Sequence, residues 1–139
     1  MRRLTLTLLL SCFILGSYAQ REHFDPEQFE NRLTQYVIEA ANLTQQEANV
    51  FITIHKEMHD KQLVLFKRIR QYQHSTENNP KKCKQIVQEI DKLDIQLKQL
   101  QQVYHNKLLN KLPAEKVFLA LKAEAQFHRK SFKKAARRR

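Results

Sequence analysis

The feature that most restricts the fold is the absence of glycine after Gly16, through to residue 139. Soluble proteins contain about 7% glycine, and it is the residue that adopts a positive φ without steric cost. Two-residue β-hairpin turns and the glycine-rich loops that hold phosphate groups both depend on that freedom. The chain is therefore unsuited to β-barrels, β-sandwiches, Rossmann folds and P-loop folds. The prediction is an all-α protein.

The first nineteen residues have the pattern of a secretory signal peptide. Arg2 and Arg3 precede an apolar run from Leu4 to Gly16, and small side chains follow at Ser17 and Ala19. The run is shorter than the roughly 20 residues that an apolar helix needs to cross a bilayer. We therefore expect cleavage after Ala19, export of the protein, and no membrane-spanning segment.

Cleavage there would leave residues 20–139 as one domain with a basic C-terminal end and one cysteine, Cys83. We expect Cys83 to be buried, because free cysteine is among the most buried residue types; a disulfide between two chains is the alternative. A lipoprotein anchored through Cys12 is an alternative at the N-terminus, less favoured because apolar residues continue beyond it. The net charge of +11 favours acidic protein segments or other anionic surfaces as partners, whereas export argues against nucleic acid.

Three prolines and one capping box divide the remaining chain into four predicted helices. Pro26, Pro80 and Pro113 suit the first turn of a helix, where the missing N–H would have no intrahelical partner. Thr44 and Glu47 have the spacing of a capping box, in which each side chain accepts a hydrogen bond from the other residue's backbone N–H. The predicted helices span 26–41, 44–74, 80–111 and 113–136.

Each predicted helix carries an apolar stripe at helical spacing. The third stripe is the most regular, running from Ile86 to Leu108 in alternating steps of four and three. The fourth is expected to consist of Phe118, Leu121, Ala125 and Phe132, widened by Val117, Leu119 and Phe127. Because the second and third helices would each be about 45 Å long, we predict an elongated molecule. Its incompletely covered apolar surface would be buried by a homodimer or by a bound client.

The sequence has no arrangement of nucleophile and base that is typical of an enzyme, and we predict a non-enzymatic protein. His55 and His59 lie four residues apart, the spacing that places two zinc ligands on one helix face. Lys56, however, stands where the metalloprotease motif has its catalytic glutamate. We therefore interpret both histidines as surface residues and expect no cofactor. A zinc or nickel site is the alternative.

A short motif and its weak repeat give the chain a resemblance to a known family. Leu43-Thr44-Gln45-Gln46-Glu47 opens the second helix, and the following Val50-Phe51-Ile52 recurs 67 residues later as Val117-Phe118-Leu119, after Leu112. An export signal, four helices and this LTxxQ-like motif resemble the Spy/CpxP family of bacterial periplasmic proteins. The motif residues would be Leu43, Thr44, Glu47 and Leu112.

The resemblance implies a thin, cradle-shaped homodimer in the periplasm, acting as an ATP-independent chaperone that holds unfolded or acidic envelope proteins. Its alternative is a stress or heavy-metal sensor that regulates a membrane signalling protein. The chaperone hypothesis is compatible with apolar and basic side chains interleaved on the second helix. The candidate client-binding residues are Ile52, Lys61, Phe66, Lys67, Arg68 and Arg70.

Overall fold

The computed structural model describes residues 23–138, and over that range the fold is all-α. Its four helices are α1 (Pro26–Ala40), α2 (Gln45–Gln73), α3 (Pro80–Leu109) and α4 (Ala114–Arg137), with no strand between residues 23 and 138. Each predicted helix boundary lies within two residues of the observed one. The expected signal peptide and Cys12 lie outside the described residues.

Helices α1, α2 and α3 begin where a side chain satisfies their first N–H groups, whereas α4 begins after Pro113 without a side-chain cap. The Asp25 carboxylate accepts from the backbone N–H groups of Glu27 and Gln28, at 3.0 and 3.3 Å, and Asn79 caps α3 in the same way. At the start of α2 the Thr44 hydroxyl accepts from the Glu47 N–H at 3.2 Å. The Glu47 carboxylate accepts in return from the Thr44 N–H at 2.8 Å. The predicted capping box is therefore present.

The sharp turn between α1 and α2 is made without glycine. Asn42 adopts a φ of 49°, a left-handed conformation that asparagine tolerates better than most residues. The N–H of Asn42 donates to the Glu39 carbonyl and the N–H of Leu43 donates to the Ile38 carbonyl, which is the pairing of a Schellman motif. Leu43 and Ile38 both pack in the main core described below, as this motif often requires.

The helices pack as two pairs, α2 with α3 and α1 with α4, with lighter contact between α3 and α4. The pairs meet at a main core formed by α1, the start of α2, the end of α3 and the first turns of α4. Its buried members are Leu33, Val37, Ala41, Leu43, Ala48, Phe51, Leu108, Leu112, Val117, Ala120 and Ala123.

A second, smaller core lies between the remote parts of α2 and α3, beside the loop that joins them. Ile69, Leu93 and Leu97 are buried there, with Leu65, Tyr72 and Ile90 packed against them. All of these residues belong to α2 or α3, so neither α1 nor α4 contributes to this cluster. The remote end of the hairpin is thus stabilised by two helices only.

The predicted apolar stripe of α4 is wrong for Phe118 and Phe132, whereas Val117, Leu121 and Phe127 do face the main core. Phe118 and Phe132 are 66% and 73% exposed, whereas Val117, Ala120 and Ala123 are buried. The helix carries two apolar faces, and the one rich in alanine lies in the core because small side chains let neighbouring helices approach closely. The weak internal repeat fails at the same position, since Phe51 is 1% exposed and its counterpart Phe118 is not buried.

The predicted burial of Cys83 is only partly met. Its side chain is half-buried, and the thiol donates to the carbonyl oxygen of Glu77 at 3.4 Å. It therefore helps to close the loop between α2 and α3 instead of packing among apolar side chains of the α3 stripe.

Loss of the α2 cap should destabilise the fold measurably. We expect Thr44→Ala to lower the free energy of unfolding by about 1 kcal/mol, the usual value of an N-cap hydroxyl, whereas Thr44→Ser, which keeps the hydroxyl, should retain the parental value. Thr53→Ala, an exposed change in the middle of α2, is the matched control and should be neutral or slightly stabilising, because alanine favours the helix interior more than threonine does. Urea unfolding followed by circular dichroism measures the free energy of unfolding of each variant. Equal losses of stability in Thr44→Ala and Thr53→Ala would contradict the capping role.

Candidate functional site

The structure places all six predicted client-binding residues at exposed positions of α2, but it does not bring them together. Residues 11, 14 and 18 positions apart share one side of an α-helix. Ile52, Phe66 and Arg70 therefore lie on one side, and Lys67 borders it. We call this side, with Leu63, the α2 flank. Ile52, Leu63 and Phe66 are 38%, 40% and 44% exposed.

Lys61 and Arg68 lie on the other side of α2, where α3 packs. The Lys61 ammonium is 3.4 Å from a Glu57 carboxylate oxygen that also accepts from the Tyr104 hydroxyl at 2.6 Å. Lys107 reaches the same carboxylate, and both lysines lie over the Tyr104 ring. The hydrogen bond from Tyr104, followed by contacts with Lys61 and Lys107, holds the pKa of Glu57 below its usual value. Lys61 thus belongs to a contact between α2 and α3, not to the α2 flank.

A shallow apolar groove of about 450 Å³ lies between α2 and α3 on this second side. Val64 and Leu65 line one wall, and Gln96, Gln99 and Leu100 line the other. Lys61 stands at its edge. Val64 is 61% exposed, so the hairpin presents apolar surface on both sides of α2.

The residues of the LTxxQ-like motif have structural positions. Leu43 and Leu112 are buried in the main core, and Thr44 and Glu47 form the capping box. Glu47 has a second partner, because the Lys116 ammonium of α4 donates to the same carboxylate oxygen that caps α2. The motif therefore fixes the start of α2 and ties it to α4.

The most unusual polar feature is His55, whose imidazole is buried between two carboxylates. Its Nδ1 lies 3.3 Å from Glu30 Oε1 on α1, and its Nε2 lies 3.2 Å from Glu124 Oε1 on α4. One face of the ring stacks on Phe51 at 5.3 Å between centroids. The side chain is 7% exposed, against 32% for Glu30 and 23% for Glu124. We call these three residues the histidine triad.

The triad is charged at neutral pH. Burial alone would lower the pKa of His55, but hydrogen bonds and charge attraction from Glu124 and Glu30 outweigh it and raise the pKa to about 9. The hydrogen bond with His55 in turn lowers the pKa of Glu30. Burial would raise the pKa of Glu124, yet the contact with His55 holds it below its usual value. The group is best described as an imidazolium shared by two carboxylates.

The interpretation of His55 as a surface residue is wrong. Position 55 continues the buried stripe of α2, four residues after Phe51 and three before Met58, and this periodicity was the available signal. Glu30 and Glu124 carried no such signal, because they reach His55 from other helices. His59 is half-buried on the same helix.

The histidine triad does not have the arrangement of a metal site. Among residues 23–138, no group of three or more His, Cys, Asp or Glu side chains could hold a metal ion. Within the same range no helix is both long enough and apolar enough to cross a membrane.

Comparison with known proteins identifies no relative: no protein-family model, curated protein or solved structure matches the chain. The likeness to the Spy/CpxP family therefore rests on the motif residues and the order of helices alone.

The histidine triad should make stability depend on pH on the alkaline side. The pKa of His55 is higher in the folded protein than its value of 6.5 in a free side chain. Its contribution is therefore fully present below pH 6.5 and is lost as pH rises through about 9. We expect the free energy of unfolding to fall by on the order of 2 kcal/mol between pH 7 and pH 9.5.

The test compares His55→Gln with His74→Gln, a change at an exposed histidine outside the triad. Urea unfolding at each pH should give a nearly flat profile for His55→Gln and the parental decline for His74→Gln. If the free energy of unfolding of His55→Gln declines as steeply with pH as that of the parent, the loss of stability at alkaline pH arises from groups other than the histidine triad.

Proposed function

We propose that this protein is an exported, ATP-independent chaperone that holds unfolded envelope proteins on the α2 flank. The observation that carries the proposal is the exposed apolar surface along α2, from Ile52 near the main core to Phe66 towards the remote end of the hairpin. Ile52, Leu63 and Phe66 expose apolar area on the flank, and Lys67 and Arg70 lie beside them. Exposed apolar surface of this kind is typical of interaction sites.

The two kinds of side chain would act at different stages of binding. Cations attract acidic segments over distances of about 8–10 Å at physiological salt and so raise the rate of encounter. Apolar contacts over a small, half-exposed area then hold the client weakly, which permits release without nucleotide hydrolysis. Binding should accordingly weaken as salt rises, through slower association.

We further propose that two chains associate as a homodimer without a disulfide. The support is the same surplus of exposed apolar area, since two-fold dimers are the commonest way for a small chain to cover it. The mass measured by light scattering should be that of a dimer, with or without reductant. A monomer at micromolar concentration would contradict the dimer, and a mass that halves on reduction would instead assign an interchain bond to Cys83.

The metal-sensor alternative is less well supported, because both ring nitrogens of His55 already contact carboxylates, Nδ1 that of Glu30 and Nε2 that of Glu124. Stoichiometric zinc or nickel binding that is lost in His55→Ala/His59→Ala would reinstate the sensor as the preferred hypothesis.

The chaperone proposal predicts that the α2 flank, and not apolar exposure in general, suppresses aggregation. We expect Ile52→Gln/Phe66→Gln to raise the concentration that halves client light scattering by about tenfold, from the loss of two partly buried apolar contacts. The matched control is Val87→Gln/Ile95→Gln, which removes two exposed apolar side chains from α3. This control should leave the concentration that halves client light scattering almost unchanged.

The assay uses a reduced, aggregating client without ATP, at low and at physiological salt, after circular dichroism has established that each variant is folded. Unchanged scattering in the presence of the parent protein would overturn the chaperone proposal. An equal loss in both double variants would overturn its assignment to the α2 flank.

A further inference from the structure

The outer face of α4 carries apolar side chains that no part of the described chain covers. Phe118 and Phe132 are 66% and 73% exposed, and Ala125 lies midway between them. The spacing of seven residues places all three along one side of the helix, over about 21 Å. Val117, Ala120 and Ala123, which pack into the core, lie on a different side.

This apolar line is bordered by positive charge. Lys122 and Arg129 each stand three or four positions from two members of the line, so they follow its edge. Between residues 125 and 139 the sequence contains seven arginines and lysines and no aspartate or glutamate. A shallow cleft of about 420 Å³ at the end of α4 is lined only by Lys130, Lys133, Lys134, Arg137 and Arg138.

Helix capping explains only part of this pattern. Cations in the last turn, such as Lys134 and Arg137, are favoured by the helix dipole, and Lys130 is occupied because it donates to the Tyr36 hydroxyl at 3.2 Å. Neither effect accounts for two exposed phenylalanines on the same helix. Lys133 is exposed and lies next to Phe132, at the junction of the apolar line and the basic end.

We propose that α4 binds the surface of anionic phospholipid membranes, lying in the interface with Phe118, Ala125 and Phe132 towards the acyl chains. A helix with one apolar side and a polar side rich in lysine and arginine is suited to that position. Cations near an anionic leaflet add attraction that grows with their number. A nucleic acid duplex would bind the cations through its phosphates and leave the phenylalanines exposed, whereas an anionic lipid surface engages both features.

The proposed lipid face is separate from the client surface, since all of its residues lie on α4 and the α2 flank belongs to α2. Membrane attachment would concentrate the chaperone where envelope proteins emerge, although the lipid face does not require the chaperone function. Vesicle binding contains no client, and the aggregation assay contains no lipid, so the two proposals fail independently.

The test is sedimentation of the mature protein, residues 20–139, with vesicles of phosphatidylcholine alone or with roughly one third phosphatidylglycerol. We expect binding to the anionic vesicles only. Lys133→Gln/Lys134→Gln/Arg137→Gln should weaken it roughly 100-fold. The matched control is Lys81→Gln/Lys84→Gln/Lys111→Gln, which changes net charge equally at exposed lysines elsewhere and should bind as the parent does. Phe118→Gln/Phe132→Gln should weaken binding at least tenfold at unchanged charge.

Each result decides the proposal. Equal loss of vesicle binding in the two charge variants would show that binding depends on net charge alone. Parental binding by the phenylalanine variant would exclude insertion of the apolar line. Either result overturns the proposal. Binding to soluble polyglutamate as tight as to anionic vesicles, and insensitive to the phenylalanines, would assign the face to acidic polypeptides instead.

A fluorescent probe reports which face enters the lipid. The chain contains no tryptophan, so Phe132→Trp adds a single reporter on α4, and Phe66→Trp adds one on the α2 flank as the control. Anionic vesicles should shift the emission of the first to shorter wavelength and leave the second unchanged. A shift at Phe66→Trp with none at Phe132→Trp would overturn the orientation.

Discussion

The arrangement of the helices depends on the charged contacts that join two separately packed pairs. Close packing pairs α2 with α3 and α1 with α4, and the apolar contacts where the pairs meet have no preferred direction. His55 adds a directional contact between the helices, because its two ring nitrogens face carboxylates on α1 and on α4. A buried ion pair adds little net stability compared with apolar packing, but an unpaired buried charge is costly. We infer that the histidine triad selects one placement of α1 and α4 on α2.

That placement explains why so much apolar surface stays exposed. The triad and the contact between Lys116 and Glu47 both involve the first half of α2, so α1 and α4 are held at that end of the hairpin. The remote end contains only the small cluster around Ile69 and Leu93. Two helices cannot enclose the apolar side chains of either one, since each helix buries a single stripe against its neighbour. The exposure of Leu63 and Phe66 on the α2 flank is thus a consequence of where the charged contacts lie.

Sequence reasoning succeeded where structure is decided within one helical turn. Asp25, Asn79 and the pair Thr44 and Glu47 cap their helices locally, so the bounds of the helices followed from residue type and spacing. The buried face of α4 was not predictable in this way, because the helix has two apolar faces and the choice depends on which one fits against the other helices. The burial and charge of His55 depend on partners remote in sequence, one of them 69 residues away. Patterns of residue spacing within one helix do not predict such contacts.

The charge on the two exposed apolar surfaces differs in a way that suits different partners. Near the α2 flank, an acidic residue accompanies the cations, since Lys56 pairs with Asp60. Exposed pairs of this kind leave a weak field that salt screens readily, which suits clients that must exchange. On α4 no acidic residue follows Glu124, so the cations there reinforce one another. Attraction that adds with each cation is best matched by a surface of many fixed negative charges, such as an anionic leaflet.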